Sequence, residues 1–324
     1  MIFLTSIFKR LFSFVVMLII ASLVIFYALE VLPGNAAQIL AGAEADVETV
    51  ENLTKELGLD QPAFIRYKEW IAGIFTANLG LSYIYATPVS DLIAERLTIT
   101  IPLAFMAMLL SISIAIPLGA YAAAHQNKAS DHLITTIASL GMAIPSFWLA
   151  IILIFIFTVQ LQWFNYGGFP GWDPSTGGNP WKALSALFLP ALALALFQAS
   201  VLLRVTRASM LEIKHADFIR TVRGKGMGIR PIFYKHVLLN AWVPILTIAG
   251  LQFANLLAGA IVVENVFSLP GLGRLLFQSV ANRDLIIIRN ALLFLVALIM
   301  LINLLIDFIC TRIDPRMVKH AQAD

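Results

Sequence analysis

The densest group of charged side chains lies in residues 204–240, which hold eight Lys and Arg. The apolar residues here fall on one face of a predicted helix and the basic residues lie elsewhere: Phe218, Ile219 and Val222 against Arg220, Arg223 and Lys225. Three glycines interrupt this helix, and Pro231 can begin the next one. A short helix beside a glycine hinge fits a groove in a partner protein, whereas an ordinary basic loop would contact anionic lipid. The composition leaves both interpretations open.

Known catalytic motifs are missing from the sequence. It has no GxxxxGKS/T loop, whose backbone N–H groups and lysine would hold nucleotide phosphates, so ATP is not bound in that way. None of the five histidines stands in an HExxH motif, and there is no GxSxG nucleophile turn. A metalloprotease and a serine hydrolase are therefore disfavoured, and no catalytic, metal-binding or cofactor-binding residue is predicted.

The composition is that of a membrane protein. The 324 residues are 60% hydrophobic and 13% charged, and their mean hydropathy is +0.86. Soluble proteins carry about 25% charged residues, so a soluble enzyme is excluded. A membrane span needs about 20 apolar residues, and six stretches are long enough: 11–31, 98–122, 133–160, 183–203, 241–263 and 287–309. The sequence therefore predicts an all-α bundle of six transmembrane helices, the first of them an uncleaved anchor.

Lys and Arg are distributed unequally between the two sides of this bundle. If the N-terminus is cytoplasmic, the inner segments hold 14 of these residues and the longer outer segments hold 7. Because positive charge accumulates on the cytoplasmic side, both termini are predicted to be cytoplasmic. The predicted parts are the N-terminus with the first helix (1–31), an external cap (32–97), a core of five helices (98–309) containing the loop at 204–240, and a cytoplasmic tail (310–324).

Two external features are predicted to be ordered. In the cap, Asp46 can begin a helix that stops near Gly58, and Pro62 opens a second amphipathic stretch. The cap carries nine acids and four bases, which fit either a solvated face or a docking surface for an external partner. The second feature is a turn at the membrane surface, formed between Glu264 and Arg274 by Pro270, Gly271 and Gly273.

Few ionisable residues interrupt the spans. Glu30, Arg289 and Asp307 lie close to span ends, where charged side chains reach the interface cheaply, so an ion-coupled carrier is only the second hypothesis. Gln252 and Asn255 either line a wet translocation path or bond to neighbouring helices. Small residues recur every four positions and predict close helix packing, within the bundle or with another subunit: Ala191, Ala195 and Ala199, and Gly250, Ala254 and Ala258.

Runs along the whole chain recur in a known family. They are LPG at 32–34, ELGLDQP at 56–62, NLGLS at 78–82, PSFW at 145–148, DFIRTVRGKG at 217–226, KHVLLNA at 235–241 and AGAIVVENVFSLPGLGR at 258–274. Together they resemble the permeases of binding-protein-dependent ABC importers, and more narrowly the first permease subunit of the peptide/nickel (dipeptide–oligopeptide) group. The general importer motif has Glu-Ala-Ala, three residues and Gly. Alignment on Gly226 places Arg220, Thr221 and Val222 at that triplet, where the bulkier Val222 affects how closely the helix packs.

The resemblance implies a non-catalytic permease subunit of an ATP-driven importer in the bacterial inner membrane. It implies a second homologous permease, two ABC ATPase subunits that bind ATP and Mg, and an external solute-binding protein, with lipid but no nucleic acid as a further partner. Di- and oligopeptides are the first expectation for the solute, with nickel chelates, glutathione-like and opine-like compounds as others. The alternative is an ion-coupled secondary transporter of small solutes.

The resemblance also implies roles for individual residues. The coupling loop, which would transmit ATPase closure through its apolar face, comprises Asp217, Phe218, Ile219, Arg220, Thr221, Val222, Arg223, Gly224, Lys225 and Gly226. The external turn, where the loaded binding protein would dock, comprises Glu264, Phe267, Pro270, Gly271, Gly273 and Arg274. Gln252 and Asn255 are the candidates for the translocation path.

Overall fold

The computed structural model describes residues 2–31, 36–42, 45–165, 167–228 and 231–313. The LPG run at 32–34 and residues 314–324 of the predicted tail lie outside the described residues. Within the described ranges the chain is almost entirely helical and forms no strand, apart from an isolated bridge between Leu81 and Pro88. The predicted all-α class is confirmed.

Long helices alternate with short ones along the chain. The α-helices are α1 (Ile2–Val31), α2 (Ala36–Ala41), α3 (Val47–Glu56), α4 (Ala63–Phe75), α5 (Val89–Ala124), α6 (Ala129–Ala143), α7 (Ser146–Leu153), α8 (Pro180–Lys214), α9 (Asp217–Gly224), α10 (Leu238–Val266), α11 (Leu272–Asn282) and α12 (Leu285–Ile313). A π-helical segment, Ile154–Gln160, continues α7, a second one, Ile232–Val237, leads into α10, and Pro174–Thr176 is a 3-10 turn.

The apolar spans predicted from the sequence appear as five single helices and one broken pair. The single spans are Arg10–Val31, Val89–Ala124, Pro180–Lys214, Ile232–Val266 and Leu285–Arg312. The stretch predicted as one span over 133–160 is instead bent by 100° between Ala129–Ala143 and Ser146–Gln160. Counting this pair as one span gives the predicted six.

The helices extend past the predicted apolar stretches. The span predicted at 183–203 belongs to α8, which begins at Pro180, where Asn179 Oδ1 accepts hydrogen bonds from the N–H groups of Trp181 (2.9 Å) and Lys182 (3.2 Å). The helix then continues to Lys214. Hydropathy locates the part of a helix that lies in lipid, whereas capping and backbone hydrogen bonds decide where the helix ends.

The chain divides into two units, and the first contains Met1–Thr100 with Pro270–Leu301. In its cap, Asp46 accepts a hydrogen bond from the Thr49 N–H at 3.2 Å, which confirms the predicted start of α3 and lowers the pKa of Asp46. Trp70 on α4 is 4% exposed, stacks on Phe26 of α1 and donates from Nε1 to Asn290 Oδ1 at 2.8 Å. An aromatic core with one satisfied indole N–H therefore joins α1, α4 and α12.

The second unit contains Ile101–Leu269 with Ile302–Asp324 and is built around α8. Ala191, Ala195 and Ala199 are all buried on this helix, so this small-residue row packs inside the unit. The small residues of the row on α10 have different surroundings. Gly250 lies against Ile306 of α12, whereas Ala258 is exposed.

A second close approach involves Gly119 on α5. A Cβ atom at this position would lie 2.8 Å from the backbone oxygen of Leu203 and 2.8 Å from Thr206 Cβ. Backbone atoms cannot yield without separating the two helices, so we expect Gly119→Ala to lower the free energy of unfolding by about 1–3 kcal/mol. Gly224→Ala is the matched control, because no atom of the described residues lies within 4 Å of a Cβ there. Thermal midpoints in detergent measure both, and a Gly119→Ala midpoint at or above that of the control would contradict the prediction.

Candidate functional site

The basic loop at 204–240 folds as predicted into a short helix between two long ones. The chain leaves α8 at His215, extends at Ala216 and enters α9 at Asp217. Asp217 and Arg220 form an exposed ion pair at 3.7 Å, one helical turn apart. The helix ends at Gly224, and Gly226 adopts a left-handed backbone (φ +81°) that favours glycine.

The two faces of α9 have different surroundings. Ile219 is 1% exposed and belongs to a hydrophobic cluster with Ile232, Phe233 and Met210, and Val222 packs against the same cluster. Phe218 is 43% exposed. The prediction that one apolar face of α9 meets a partner is therefore wrong for Ile219 and Val222, since that face is used to attach α9 to its own unit.

The face of α9 that remains available is mixed rather than apolar. We call it the outer face of α9, and it consists of the exposed residues Asp217, Phe218, Arg220, Thr221 and Arg223. Gly224, Lys225 and Gly226 are exposed beyond it. Of the triplet aligned with the importer motif, Arg220 and Thr221 lie on the outer face and Val222 is turned towards the protein interior.

One basic residue of the 204–240 segment, Arg207 on α8, forms an ion pair with a buried carboxylate. Arg207 donates from Nε and Nη2 to the two carboxylate oxygens of Asp131, at 2.6 and 2.7 Å, and Asp131 is 1% exposed. The Asn127 N–H also donates to Asp131 at 2.9 Å, and Lys214 Nζ donates to Gln126 Oε1 at 3.2 Å. These bonds hold the turn before α6 against the end of α8. Sequence reasoning counted Asp131 and Arg207 only as charges, although Asp131 is the single acid of residues 123–132.

The turn at 264–274 is narrower and more buried than predicted. α10 continues to Val266, and Gly273 lies in the first turn of α11, so the non-helical part is only 267–271. Glu264 is 0% exposed and Phe267, Gly271 and Gly273 are also buried. The side chains of Glu264 and Phe267 therefore cannot contact a docked protein directly in this conformation. Pro270 and Arg274 are partly exposed.

The two candidate path residues on α10 are bonded to each other. Asn255 donates from Nδ2 to Gln252 Oε1 at 3.0 Å. Gln252 is buried, whereas Asn255 is exposed and lines a cavity of about 300 Å³ beside the break between α6 and α7. Gln198 on α8 lines the same cavity and was missed by sequence reasoning, because an isolated Gln in an apolar span carries no motif.

Two of the three ionisable residues near span ends have partners in the first unit. Glu30 accepts an ion-paired hydrogen bond from Arg66, and the Arg289 guanidinium lies 5.5 Å from the centre of the Trp70 ring. These contacts attach both residues to their own unit, and their role as anchors at span ends stays a prediction. Across the described ranges, no group of three or more His, Cys, Asp and Glu is arranged to hold a metal ion.

Comparison with known proteins adds an independent line of evidence. Residues 115–319 match the family described as binding-protein-dependent transport system inner membrane component, and residues 3–104 match the N-terminal family of the same membrane components. A putative peptide transport system permease of Brucella abortus (strain 2308) is 41% identical over 310 residues, which cover 95% of this chain and 97% of that protein.

Further relatives carry related names. A dipeptide transport system permease of Alkalihalophilus pseudofirmus is 36% identical, over 95% of this chain and 98% of that protein. A glutathione transport system permease of Escherichia coli O6:H1 is 38% identical, over 95% and 96%. The inward-facing MetNI methionine ABC transporter has a similar fold, with a TM-score of 0.56 at 18% identity over 69% of this chain and 96% of the matched one.

The fold and the sequence matches indicate the same class of protein, a membrane-spanning permease. The fold contributes the helical spans with the short helix α9 between two of them, and the matches extend over nearly the whole chain. The relatives are permease subunits, which carry no ATPase of their own. The chain accordingly belongs to the family of binding-protein-dependent transport system inner membrane components and is a non-catalytic, membrane-spanning permease subunit of an ABC importer.

Proposed function

We propose that this chain is one of two homologous permeases in an importer of di- and oligopeptides or closely related solutes. The names of its relatives, which refer to peptide, dipeptide and glutathione transport, support this class of solute. In this proposal an external binding protein delivers the solute, and two separate ATPase subunits bind ATP and Mg. The absence of a phosphate-binding loop from the sequence is consistent with that division of labour.

The proposed location is the bacterial cytoplasmic membrane, with both termini in the cytoplasm. The support is the excess of Lys and Arg in the segments assigned to the inner side, 14 against 7. With this orientation the outer face of α9 is exposed to the cytoplasm and the cap lies outside. We retain Pro270 and Arg274, together with the acidic cap, as the proposed docking region for the binding protein, since these two residues are partly exposed.

The observation that carries the proposed coupling role is the split of α9 into an attached face and an outer face. Ile219 fixes α9 to the core of the second unit, and Phe218 with Arg220 and Thr221 stays exposed. A helix held in this way can transmit a push from a partner to the helices beneath it, because packed interiors deform little. Its outer face is therefore where we propose that the ATPase binds.

We expect Phe218→Asp to reduce ATP-dependent peptide uptake at least about tenfold while insertion into the membrane stays normal. The physical reason is that a charged, shorter side chain replaces an exposed aromatic anchor at the proposed interface, and such anchors contribute about 2 kcal/mol or more. Uptake by the complete transporter in proteoliposomes, with substrate-stimulated ATPase activity, measures the effect. Phe8→Asp is the control, since Phe8 is 71% exposed on α1 before the span that begins at Arg10, far along the chain from α9 and outside the proposed docking region.

Two results would contradict the proposal. Wild-type uptake by Phe218→Asp would show that the outer face of α9 is not the coupling surface. Uptake by this chain alone, driven by an ion gradient without ATP, would favour the secondary transporter.

A further inference from the structure

The predicted third span is interrupted where its two helices meet. α6 ends at Ala143, Ile144 is extended, and α7 begins after Pro145, which has no backbone N–H. Among the described residues, no side chain caps the start of α7. Backbone groups at such an end lack helical partners, and non-helical backbone at membrane depth occurs where it is buried in protein or lines a water-filled cavity. The backbone groups at the break are therefore expected to face protein or water in the space beside it.

A cavity of about 300 Å³ occupies that space, entirely within the second unit. Its lining comes from the break itself, from α8 and from α10: Met142, Ala143, Ile144, Pro145, Ser146, Phe147, Leu194, Phe197, Gln198, Asn255 and Gly259. None of these residues carries a charge. The polar side chains are a hydroxyl, Ser146, and two amides, Gln198 and Asn255, set among apolar groups, which is the usual composition of a small-molecule site.

Gln198 is the most informative of the polar residues. It is 4% exposed, and its Oε1 is buried with no hydrogen-bond partner in the described part of the chain. A buried carbonyl oxygen without a hydrogen-bond donor is energetically unfavourable. Such an oxygen is therefore expected to accept a hydrogen bond from a bound solute or from a water molecule. Asn255 is an exposed residue that donates from Nδ2 to Gln252, so its Oδ1 remains as an acceptor.

We infer that this cavity is a solute-contact site that recognises the amide groups of a peptide backbone. The inference rests on the proposed function and adds the chemistry of recognition to it. Gln198 and Asn255 offer carbonyl acceptors to backbone N–H groups, and Ser146 offers a hydroxyl. Since none of the described lining residues is charged, peptides with acidic, basic or neutral side chains meet the same hydrogen-bonding groups.

The test compares a dipeptide with its ester analogue, in which an oxygen replaces the backbone N–H. The quantity measured is the ratio of ATP-dependent uptake rates, peptide over ester, in the complete transporter. The binding protein's own preference for peptide over ester multiplies this ratio equally in wild type and in Gln198→Leu. It therefore cancels when the ratios of the two proteins are compared. We expect Gln198→Leu to lower the ratio about three- to tenfold, the range of one neutral hydrogen bond. An unchanged ratio would overturn the inference.

Thr158→Val is the matched control for this experiment. Thr158 Oγ1 is also buried and without a partner in the described residues, but Thr158 does not line the cavity. The ratio should equal that of wild type in this variant. If it falls as much as in Gln198→Leu, the effect is not specific to the cavity and the inference fails.

A second variant keeps the inference testable if Gln198→Leu does not fold. Cys310 is the single cysteine, so Cys310→Ser gives a cysteine-free background for Asn255→Cys. We expect a small hydrophilic methanethiosulfonate to modify this thiol, and dipeptide in the transporting complex to slow the modification. Absence of modification, or modification that dipeptide does not slow, would overturn the inference and indicate a closed or merely hydrated space. Wild-type complexes that fail to accumulate dipeptide with ATP would instead refute the proposed function itself.

Discussion

Replacement of Arg207 by methionine is expected to lower the free energy of unfolding by about 3 kcal/mol, the lower end of the range for loss of one partner of a buried ion pair, because the Arg207 side chain is 26% exposed. Asp131 is 1% exposed and accepts both strong bonds of the pair from Arg207. Without that guanidinium, its charge would stay buried, and within the described ranges the Asn127 N–H would be its remaining donor. The thermal midpoint and the yield of monodisperse protein in detergent would both fall.

A double variant separates the energetic cost of the buried charge from the cost of the lost contacts. In Arg207→Met with Asp131→Leu, no charge remains buried, so most of the lost stability should return. Lys214→Met is the control for a basic residue of the same helix, because Lys214 makes one longer bond to Gln126. Arg207→Met at wild-type stability would show that the ion pair does not hold the turn before α6 against α8.

The second large effect concerns Ile219, which neighbours the exposed Phe218. Ile219→Asp is expected to prevent stable folding of the second unit, because it would bury an unpaired carboxylate among apolar side chains. Ile219→Leu conserves volume and should change stability by less than about 1.5 kcal/mol. The folded fraction after solubilisation, followed by size-exclusion chromatography, measures both variants.

Phe218→Asp and Ile219→Asp are expected to have different effects because only Ile219 is buried. The same substitution at adjacent positions should give a folded protein that is defective in uptake at 218 and an unfolded protein at 219. A folded Ile219→Asp variant with normal uptake would contradict the attachment of α9 through Ile219. An eight-residue helix is marginal by itself in water, so α9 depends on this attachment for its structure as well as for its proposed coupling role.

Several parts of the protein are determined by local sequence. Apolar stretches near 20 residues identified the spans, because a bilayer sets the length of the helix that crosses it. Asp46 placed the start of α3, and the glycines after Val222 placed the end of α9, because caps and left-handed turns depend on neighbouring residues only. The positions of these helix ends follow from interactions that act within a few residues along the chain.

Other features depended on residues that are distant in sequence, and only the tertiary structure decided them. Periodicity showed that α9 has an apolar side, but the cluster around Ile232 and Phe233 decided that this side faces inward. The partner of Asp131 lies 76 residues away, and Glu264 reads as a surface charge until the fold buries it. Gln198 becomes a candidate solute-binding residue only because α8, α10 and the α6–α7 break line one open cavity. Burial and pairing are energies between chain segments, and a linear pattern does not specify which segments meet.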